Sequence, residues 1–360
     1  MSQREQLRVA VGKLDEFCRA ALGAAGGDAA TADAATRAMM HASKSGIDSH
    51  GVRLLEHYAK AIAGGRVNGK PRLHFVREFG ATAVLDADDG HGALAAYTAM
   101  DRAIELARQF GTGSVAIRNS SHLGAAGAYV LAPAEQGVMG FCVCNADAIV
   151  KLHDGAAKFH GTNPIAFAAP VPGARPWLLD IPTSSMPLQR VNLYRSLGRA
   201  LPQGVASDAN GRDTEDPNEV KMLAPLGGAE FGYKGAGLAG MVEILSTAIT
   251  GMGLSLELGG MTADLTKPRH LGAFVMAIEP TAFVERDVFD GTMKRYMDAL
   301  HVSPALEGRK VMAPGDREWA QAQERARIGI PIDPETAASF GRLAERFGLT
   351  PLAGIAGPNE

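Results

Sequence analysis

The stretch "GYKGAGLAGMVEIL", residues 232–245, carries Gly235, Gly237 and Gly240 in the G-x-G-x-x-G spacing of a dinucleotide-binding turn. An apolar, helix-like segment follows it. Whether the fold is a Rossmann fold depends on what precedes the first glycine. A phosphate-binding turn needs a strand directly before it, so that the ligand meets a helix N-terminus at the carboxyl edge of the sheet. Here the preceding residues are "LAPLGGAEFGYK", with three glycines, one proline and two charges. That composition does not make a strand. Glu257 stands near the distance expected of a ribose-binding acid, but "LSLELGG" is not followed by a nucleotide-fold pattern. In a chain with 43 glycines the spacing arises readily by chance. The stretch reads instead as a helix whose small residues allow close packing, with Lys234 near its start placed to reach an anion.

At 360 residues the chain exceeds the usual single domain, so two domains are expected. Hydrophobic residues make up 46% and charged residues 21%, an ordinary balance for a globular protein with a large core. A formal net charge of −3 gives no reason to expect nucleic acid as a partner. No apolar run approaches the roughly 18 residues of a membrane span. The opening "MSQREQLRVAVGKLDEF" is charged throughout and lacks the apolar core of a secretory signal. Cys18, Cys142 and Cys144 make neither an even disulfide framework nor a metal-ligand set. Cys142 and Cys144 alternate along an apolar run and should point the same way from a buried strand. A cytoplasmic protein fits these features.

Helical signals fill the first 65 residues: "EQLRVAVGKLDEFCRAAL", "DAATADAATRAMMHAS" and a third helix starting at Ser49 in "DSHGVRLLEHYAKAIAGG". Asp48 or Ser49 can cap that third helix, and Gly64-Gly65 can end it. "HFVREFGATAVLDAD" reads as a hairpin around Gly80. Helical "GALAAYTAMDRAIELARQFG" and "AAGAYVLAPAEQG" then alternate with extended "GSVAIRN" and "VMGFCVCN". "PIAFAAPV", "WLLDIP" and "GAFVMAIEP" add further extended runs, and Leu201 to Glu219 reads as a polar surface loop. "DREWAQAQERARIG" and "PETAASFGRLAERFG" return to helix. The expected arrangement is a central α/β domain, residues 74–300, with a helical domain built from residues 1–73 and 301–360.

Five stretches offer chemistry. In "DSHGVRLLEHY", His50, Arg53 and His57 fall at i, i+3 and i+7 of the expected helix, on one face. His50 and Arg53 would lie in its first turn, where free N–H groups and the helix dipole favour an anion. Arginine can grip a carboxylate with two parallel hydrogen bonds, and a histidine one turn away can exchange a proton. The Ser49 hydroxyl could orient His50. In "RNSSHLGAAGAY", His122 sits between a strand and a helix, and Gly124, Ala125, Ala126 and Gly127 let a ligand approach the backbone. "HGTNPIAFAAP" places Thr162 and Asn163 at a strand start, with Pro164 pressing Asn163 towards extended geometry. "LLDIPTSS" sets Asp180, Thr183, Ser184 and Ser185 after an apolar run, and "MAPGDRE" sets Pro314, Gly315 and Asp316 before a helix. Each stretch taken singly reads equally as a turn or a solvated face.

Taken together and in order, these blocks resemble the malate/L-lactate dehydrogenase family of the second type, from about residue 45 to 330. That family is unrelated to the Rossmann-fold lactate and malate dehydrogenases. It includes ureidoglycolate, sulfolactate and diketogulonate dehydrogenases and the piperideine-2-carboxylate and pyrroline-2-carboxylate reductases. The resemblance implies a homodimer with a non-Rossmann NAD(P)-binding α/β domain and an active site in a domain cleft. It implies hydride transfer between NAD(P)H and C2 of a small 2-oxo or 2-hydroxy acid, or of a cyclic 2-imino acid, and no metal. Ser49 and His50 match the family's serine–histidine pair, and Arg53 matches the arginine that holds the substrate carboxylate. His122 matches an acid/base histidine beside the nicotinamide, and which of the two histidines carries the proton stays open. Thr162 matches a substrate contact. Leu123, Gly124, Ala125, Ala126, Asp180, Ile181, Pro182, Lys234, Met312, Ala313, Pro314, Gly315, Asp316 and Arg317 match cofactor positions, with His122 among them. The charge of Arg317 leans the cofactor towards NADPH.

The sequence departs from the family after "LLDIPTSS". Its "MPLQRVNLY" carries Pro187, and Leu188, Gln189 and Arg190 stand where substrate or cofactor contacts would lie. The departure leaves the redox class intact and opens the choice of substrate, and it motivates a second reading, a small-carboxylate binder that no longer transfers hydride. A third reading, on the same histidines and Lys234, is a cofactor-free lyase or isomerase of carbonyl acids.

Overall fold

The computed structural model describes residues 7–352. Strand β1 (Arg8–Val9) leads into helices α1 (Val11–Ala24), α2 (Ala29–Lys44) and α3 (Leu55–Ala63). The hairpin β2 (His74–Phe79) and β3 (Thr82–Asp86) follows, then α4 (Gly92–Phe110), β4 (Thr112–Ser120), α5 (Gly127–Glu135) and β5 (Met139–Cys144). Next come β6 (Val150–Lys151), β7 (Lys158–His160), β8 (Ile165–Ala169), β9 (Trp177–Ile181), α6 (Leu188–Ser196), β10 (Ala206–Ser207) and β11 (Met222–Leu223). The chain continues through α7 (Gly228–Glu243), β12 (Leu271–Ile278), α8 (Arg286–His301), α9 (Asp316–Ile328), β13 (Ile330–Pro331) and α10 (Pro334–Phe347).

The terminal helices form because their apolar residues recur at helical spacing. Helix α1 buries Leu14, Phe17, Cys18, Ala21 and Leu22, which fall on one stripe. Asp28 caps α2 by accepting from the Thr31 N–H. Both chain ends share one core, in which Leu14, Leu22, Met39 and Leu55 meet Ile330, Phe340 and Leu343. The first helix begins later than the composition of residues 7–22 suggests, because Arg8–Val9 is extended and pairs with Ile330–Pro331. Residues 5 and 6 of the expected helix lie outside the described residues.

The central sheet has seven strands in the order β2-β3-β4-β12-β5-β8-β9. Only β3 and β4 run parallel, and every other pair is antiparallel. A Rossmann sheet is mostly parallel, so the architecture is α/β outside that pattern. Buried Cys142 and Cys144 lie on one face of β5, as their alternation predicts. A second sheet, β10-β11-β6-β7, has its own small core of Val150, Met186, Val191, Leu201, Ala206 and Leu223. The polar stretch from Leu201 is therefore not all surface loop: Ala206 and Ser207 are fully buried and pair with Leu223 and Met222.

The glycines of the opening stretch lie inside α7, and no strand leads directly into Gly235: the two-residue β11 ends at Leu223, before the helix begins at Gly228. Close packing holds for two of the four: a Cβ on Gly232 would meet the Pro225 ring at 2.8 Å. A Cβ on Gly235 would sit 2.3 Å from the Leu226 carbonyl oxygen, whereas Gly237 and Gly240 face open space. The helix is entered through Gly227, whose φ of +101° is left-handed backbone that suits glycine.

Candidate active site

The turn between α2 and α3 does not form the helix expected from Ser49. It makes two short 3₁₀ turns, Asp48–His50 and Val52–Leu54, separated by extended Gly51. The cause is tertiary. A Cβ on Gly51 would fall 2.1 Å from the Ser43 Oγ, so the chain passes hard against α2, and the Val52 N–H donates to that oxygen at 2.9 Å. Asp48 caps nothing and instead pairs with Arg325. His50, Arg53 and His57 consequently do not share one helical face. The Arg53 guanidinium stands largely exposed and donates to Glu335 Oε2 at 2.8 Å.

Topology brings His50 to His122. Their rings lie 5.8 Å apart, centroid to centroid, and 22° from parallel. Ser49 Oγ is 2.9 Å from His50 Nδ1, as the adjacent serine suggests. His122 follows β4, and its Nδ1 lies 2.8 Å from the hydroxyl of Tyr58 in α3. Tyr58 is 3% exposed, and burial pushes its hydroxyl pKa up, so the group keeps its proton. Among the described residues that hydroxyl meets no other hydrogen-bond partner. It therefore donates to Nδ1, which leaves the His122 proton on Nε2. On its other side the Tyr58 ring meets buried His91 edge-on at 4.4 Å. His91 caps α4 by accepting the Ala93 N–H at Nδ1.

The histidines are held neutral. Burial, then the charges of His50, Arg269, His57 and His91, pushes His122 well below the ordinary imidazole range. Burial lowers His50 as well. It brings His57 to about 4, with Arg66, Arg269 and Lys60 adding to the effect. A stacked pair in such surroundings does not carry two positive charges, since a charge on His50 lowers His122 further. A proton taken up by the pair is readily given away.

The loop after His122 is built for close approach. Gly124 has φ +80°, and a Cβ there would come 3.5 Å from the Tyr58 hydroxyl. Tyr129 pins the loop by donating to the Leu123 carbonyl. Gly127 opens α5, and its N–H donates to Asp180 Oδ2 at 2.8 Å. A Cβ on Gly127 would meet that oxygen at 2.9 Å. Burial and nearby Glu318 push Asp180 up to about 6, against the lowering effect of the Gly127 N–H. The start of α5 thus meets β9 at Asp180, although β12, β5 and β8 separate β9 from β4 in the sheet. Met312 to Arg317 runs beside the other end of β9, with the Leu178 N–H donating to the Pro314 carbonyl. Gly315, at φ +99°, turns that segment into α9, and Arg317 stands mostly exposed.

Asn163 is not extended as Pro164 suggests, since its φ is +32°. Its amide is over-determined, donating to Glu243 Oε2 at 2.8 Å and to the Ala239 carbonyl, while its Oδ1 accepts from the Ala146 N–H. Glu243, buried at the end of α7, also accepts from the N–H and hydroxyl of Ser255. Thr162 lies beside this knot, its carbonyl accepting from Thr183. Lys234 is exposed on α7, its ammonium 5.2 Å from the Phe231 ring centre. Leu188 and Gln189 open exposed α6 and make no hydrogen bond to the histidine group. Tyr58, His91, Glu243 and Arg325 escaped the reading of single stretches. Each acts on a residue far away in sequence, and no local pattern marks it.

The geometry places two neutral histidines beside a glycine-lined loop at the carboxyl end of a strand, on a fold that is not a Rossmann fold. The family model of malate/L-lactate dehydrogenase matches residues 9–340. A malate dehydrogenase of Pyrococcus abyssi is 37% identical over 316 residues, covering 85% of this chain and 86% of that protein. The solved structure of malate dehydrogenase from Entamoeba histolytica superposes with a TM-score of 0.91 at 28% identity, covering 96% of this chain and 99% of that one. Delta1-piperideine-2-carboxylate reductase from Pseudomonas syringae pvar. tomato gives a TM-score of 0.83 at 28% identity, over 94% and 99% of the two chains. A match of this extent in both sequence and architecture settles kinship, and the chain belongs to the malate/L-lactate dehydrogenase family.

Proposed function

We propose that the protein is an NAD(P)H-dependent oxidoreductase acting at C2 of a small 2-oxo or 2-hydroxy acid, or of a cyclic 2-imino acid. The observation that carries this reading is the stacked His50–His122 pair, each ring fixed from behind by a hydroxyl, beside half-buried Gly124. A nicotinamide cofactor supplies the hydride. The chain's own residues bind, orient and move a proton. The residues fit such a group: half-buried Gly124 has no side chain to block an approach between buried Leu123 and Ala125, and Asp180 offers a carboxylate to a sugar hydroxyl. Asp180 and Glu318 would repel a phosphate at that point, so the pyrophosphate belongs elsewhere in the cleft.

Arg53 anchors the substrate carboxylate after release from Glu335, by two parallel hydrogen bonds. Thr162 offers a half-buried hydroxyl with no hydrogen-bond partner among the described residues. The histidine pair delivers one proton to the C2 oxygen or nitrogen on reduction, and takes it back on oxidation. Because Tyr58 leaves the proton of His122 on Nε2, His122 can also polarise that atom as a neutral donor. Lys234 and Met312 to Arg317 complete the cofactor contacts in this reading. Exposed Arg317 supports NADPH, although Asp316 and Glu318 beside it oppose a 2′-phosphate.

The active form in this reading is a homodimer in the cytoplasm. Helix α7 presents Phe231, Tyr233, Leu238 and Met241 to solvent beside the open Gly237 and Gly240, a surface suited to a second copy. The buried free thiols of Cys18, Cys142 and Cys144 suit a reducing compartment. The partner is a small carboxylate, not nucleic acid, and among the described residues no helix is long and apolar enough to cross a membrane.

Steady-state oxidation of NADH and of NADPH with pyruvate, oxaloacetate and piperideine-2-carboxylate tests the reading. It predicts turnover with at least one acid, and no turnover with any overturns it. A cofactor-free lyase predicts no thermal stabilisation by NADH or NADPH, whereas a cofactor-binding enzyme gains stability by mass action.

A further inference from the structure

Helix α9 reaches the histidine site through one side chain. Arg325 is buried, and its bonds end on the structure that holds Ser49 and His50. Its Nη1 and Nη2 donate to the two oxygens of Asp48, Nη2 at 3.0 Å, and Nη1 also donates to the Ser43 carbonyl at 2.6 Å. Ser43 then grips the far side of the same turn, its hydroxyl accepting from the Val52 N–H and resting against Gly51. Asp48, Ser49, His50, Gly51 and Val52 are thus clasped at both ends by Ser43 and Arg325. Two other ion pairs join this region to the C-terminal helices, Arg53–Glu335 and Glu56–Arg342. Their arginine side chains are 42% and 54% exposed, against 9% for Arg325, so the guanidinium of Arg325 is the one shielded from solvent, although its partner Asp48 is 53% exposed.

We infer that Arg325 is a positioning residue of the active site, fixing the Ser49–His50 turn so that His50 lies parallel to His122. The planar fork matches a carboxylate at two points and leaves a hydrogen for the Ser43 carbonyl; a lysine ammonium cannot reproduce that geometry. Without the clasp the turn keeps Ser49 and His50 but loses their register against His122. A misplacement of about an ångström can lower a rate roughly a hundredfold.

The inference rests on His50 sharing the transferred proton, so the test pairs Arg325 variants with His50→Ala. For Arg325→Ala the expectation is a kcat about ten- to a hundredfold lower. Substrate KM should stay within about threefold, and NADH affinity, read by fluorescence, within about twofold. The solvent deuterium isotope effect on kcat should rise, since proton transfer becomes harder. Arg325→Lys should recover only a minor part of the loss. If Arg325→Ala does not fold, Asp48→Asn carries the same expectations, because it keeps the Ser43 contact and removes the paired charge. A folded Arg325→Ala or Asp48→Asn with kcat and isotope effect within twofold of the parent overturns the positioning role, provided His50→Ala abolishes turnover. If His50→Ala retains full turnover, the reading of His50 falls, and this inference with it.

Discussion

Replacing Glu335 with Gln should make the protein bind its acid substrate more tightly. Arg53, the proposed carboxylate anchor, is engaged by Glu335 Oε2 at 2.8 Å, and the two side chains are 42% and 77% exposed. A pair this open contributes about 0.2–1 kcal/mol. An incoming carboxylate must displace Glu335 first, so Glu335→Gln should lower substrate KM by roughly 1.4- to 5-fold with kcat unchanged. Arg53→Ala removes the anchor itself. At about 1.5–3 kcal/mol for a charged hydrogen-bonded contact, it should raise KM roughly 10- to 160-fold. The gain from Glu335→Gln should vanish in the Arg53→Ala background, and it should shrink as salt screens the pair. Stability moves the opposite way. Glu335 lies in the first turn of α10, where its charge favours the helix, so the variant should lose about 0.3–1 kcal/mol of stability while binding substrate better. Substrate titrations at low and high potassium chloride, with each variant and the double variant, read all three effects. An unchanged or raised KM in Glu335→Gln at low salt would refute the competition. An unchanged KM in Arg53→Ala would refute the anchor.

Tyr58→Phe should lower kcat about ten- to a hundredfold, because a buried hydrogen bond that sets the His122 tautomer is lost, at a cost of about 1–3 kcal/mol. Denaturant melts should show a stability loss of the same order, and unchanged kinetics would remove Tyr58 from the site. Gly51→Ala drives a methyl against Ser43 and should cost about 1–3 kcal/mol of stability, together with turnover; a neutral effect would contradict the packing of the turn. Acid should destabilise the fold from near pH 6.5 downwards. His91 and His41 are held neutral by burial, at about 3 and about 4, so the unfolded chain takes up protons first. Their contribution is fully present above pH 6.5, and each histidine forfeits about 1.4 kcal/mol per pH unit below it. Asp180, pushed up to about 6, binds its proton earlier in the folded state and opposes the loss below that pH. Urea midpoints that stay flat between pH 7 and 5 would contradict the buried neutral histidines.

Local pattern carried much of the fold. The Gly80 hairpin, the helix of residues 92–110 and the strands of residues 112–120 and 139–144 follow from periodicity and turn residues, which are properties of neighbours in sequence. The same locality excluded the Rossmann reading, because a strand running directly into Gly235 would have been visible, and Gly235 lies instead in the interior of α7. Pairing order was not legible. β12, from residue 271, inserts between β4 and β5, and only the finished sheet shows it. The helix expected from Ser49 fails because Ser43 and Gly51 press together, and Asn163 takes a left-handed φ because Glu243 and Ala146 hold its amide. His50 and Ser49 could be paired by adjacency. Tyr58 and His122, 64 residues apart, could not. The chemical groups were legible in short stretches, but the groups that orient them lie on other elements.

Hydride transfer to C2 leaves an isotopic label that can be followed into the product. The protein would be mixed with NADH or NADPH deuterated at the transferable ring position and with a panel of 2-oxo and 2-imino acids, and the products analysed by mass spectrometry and proton NMR. One deuterium is expected at C2 of the product of at least one acid. Products without deuterium, or no product from any acid with either cofactor, would contradict it.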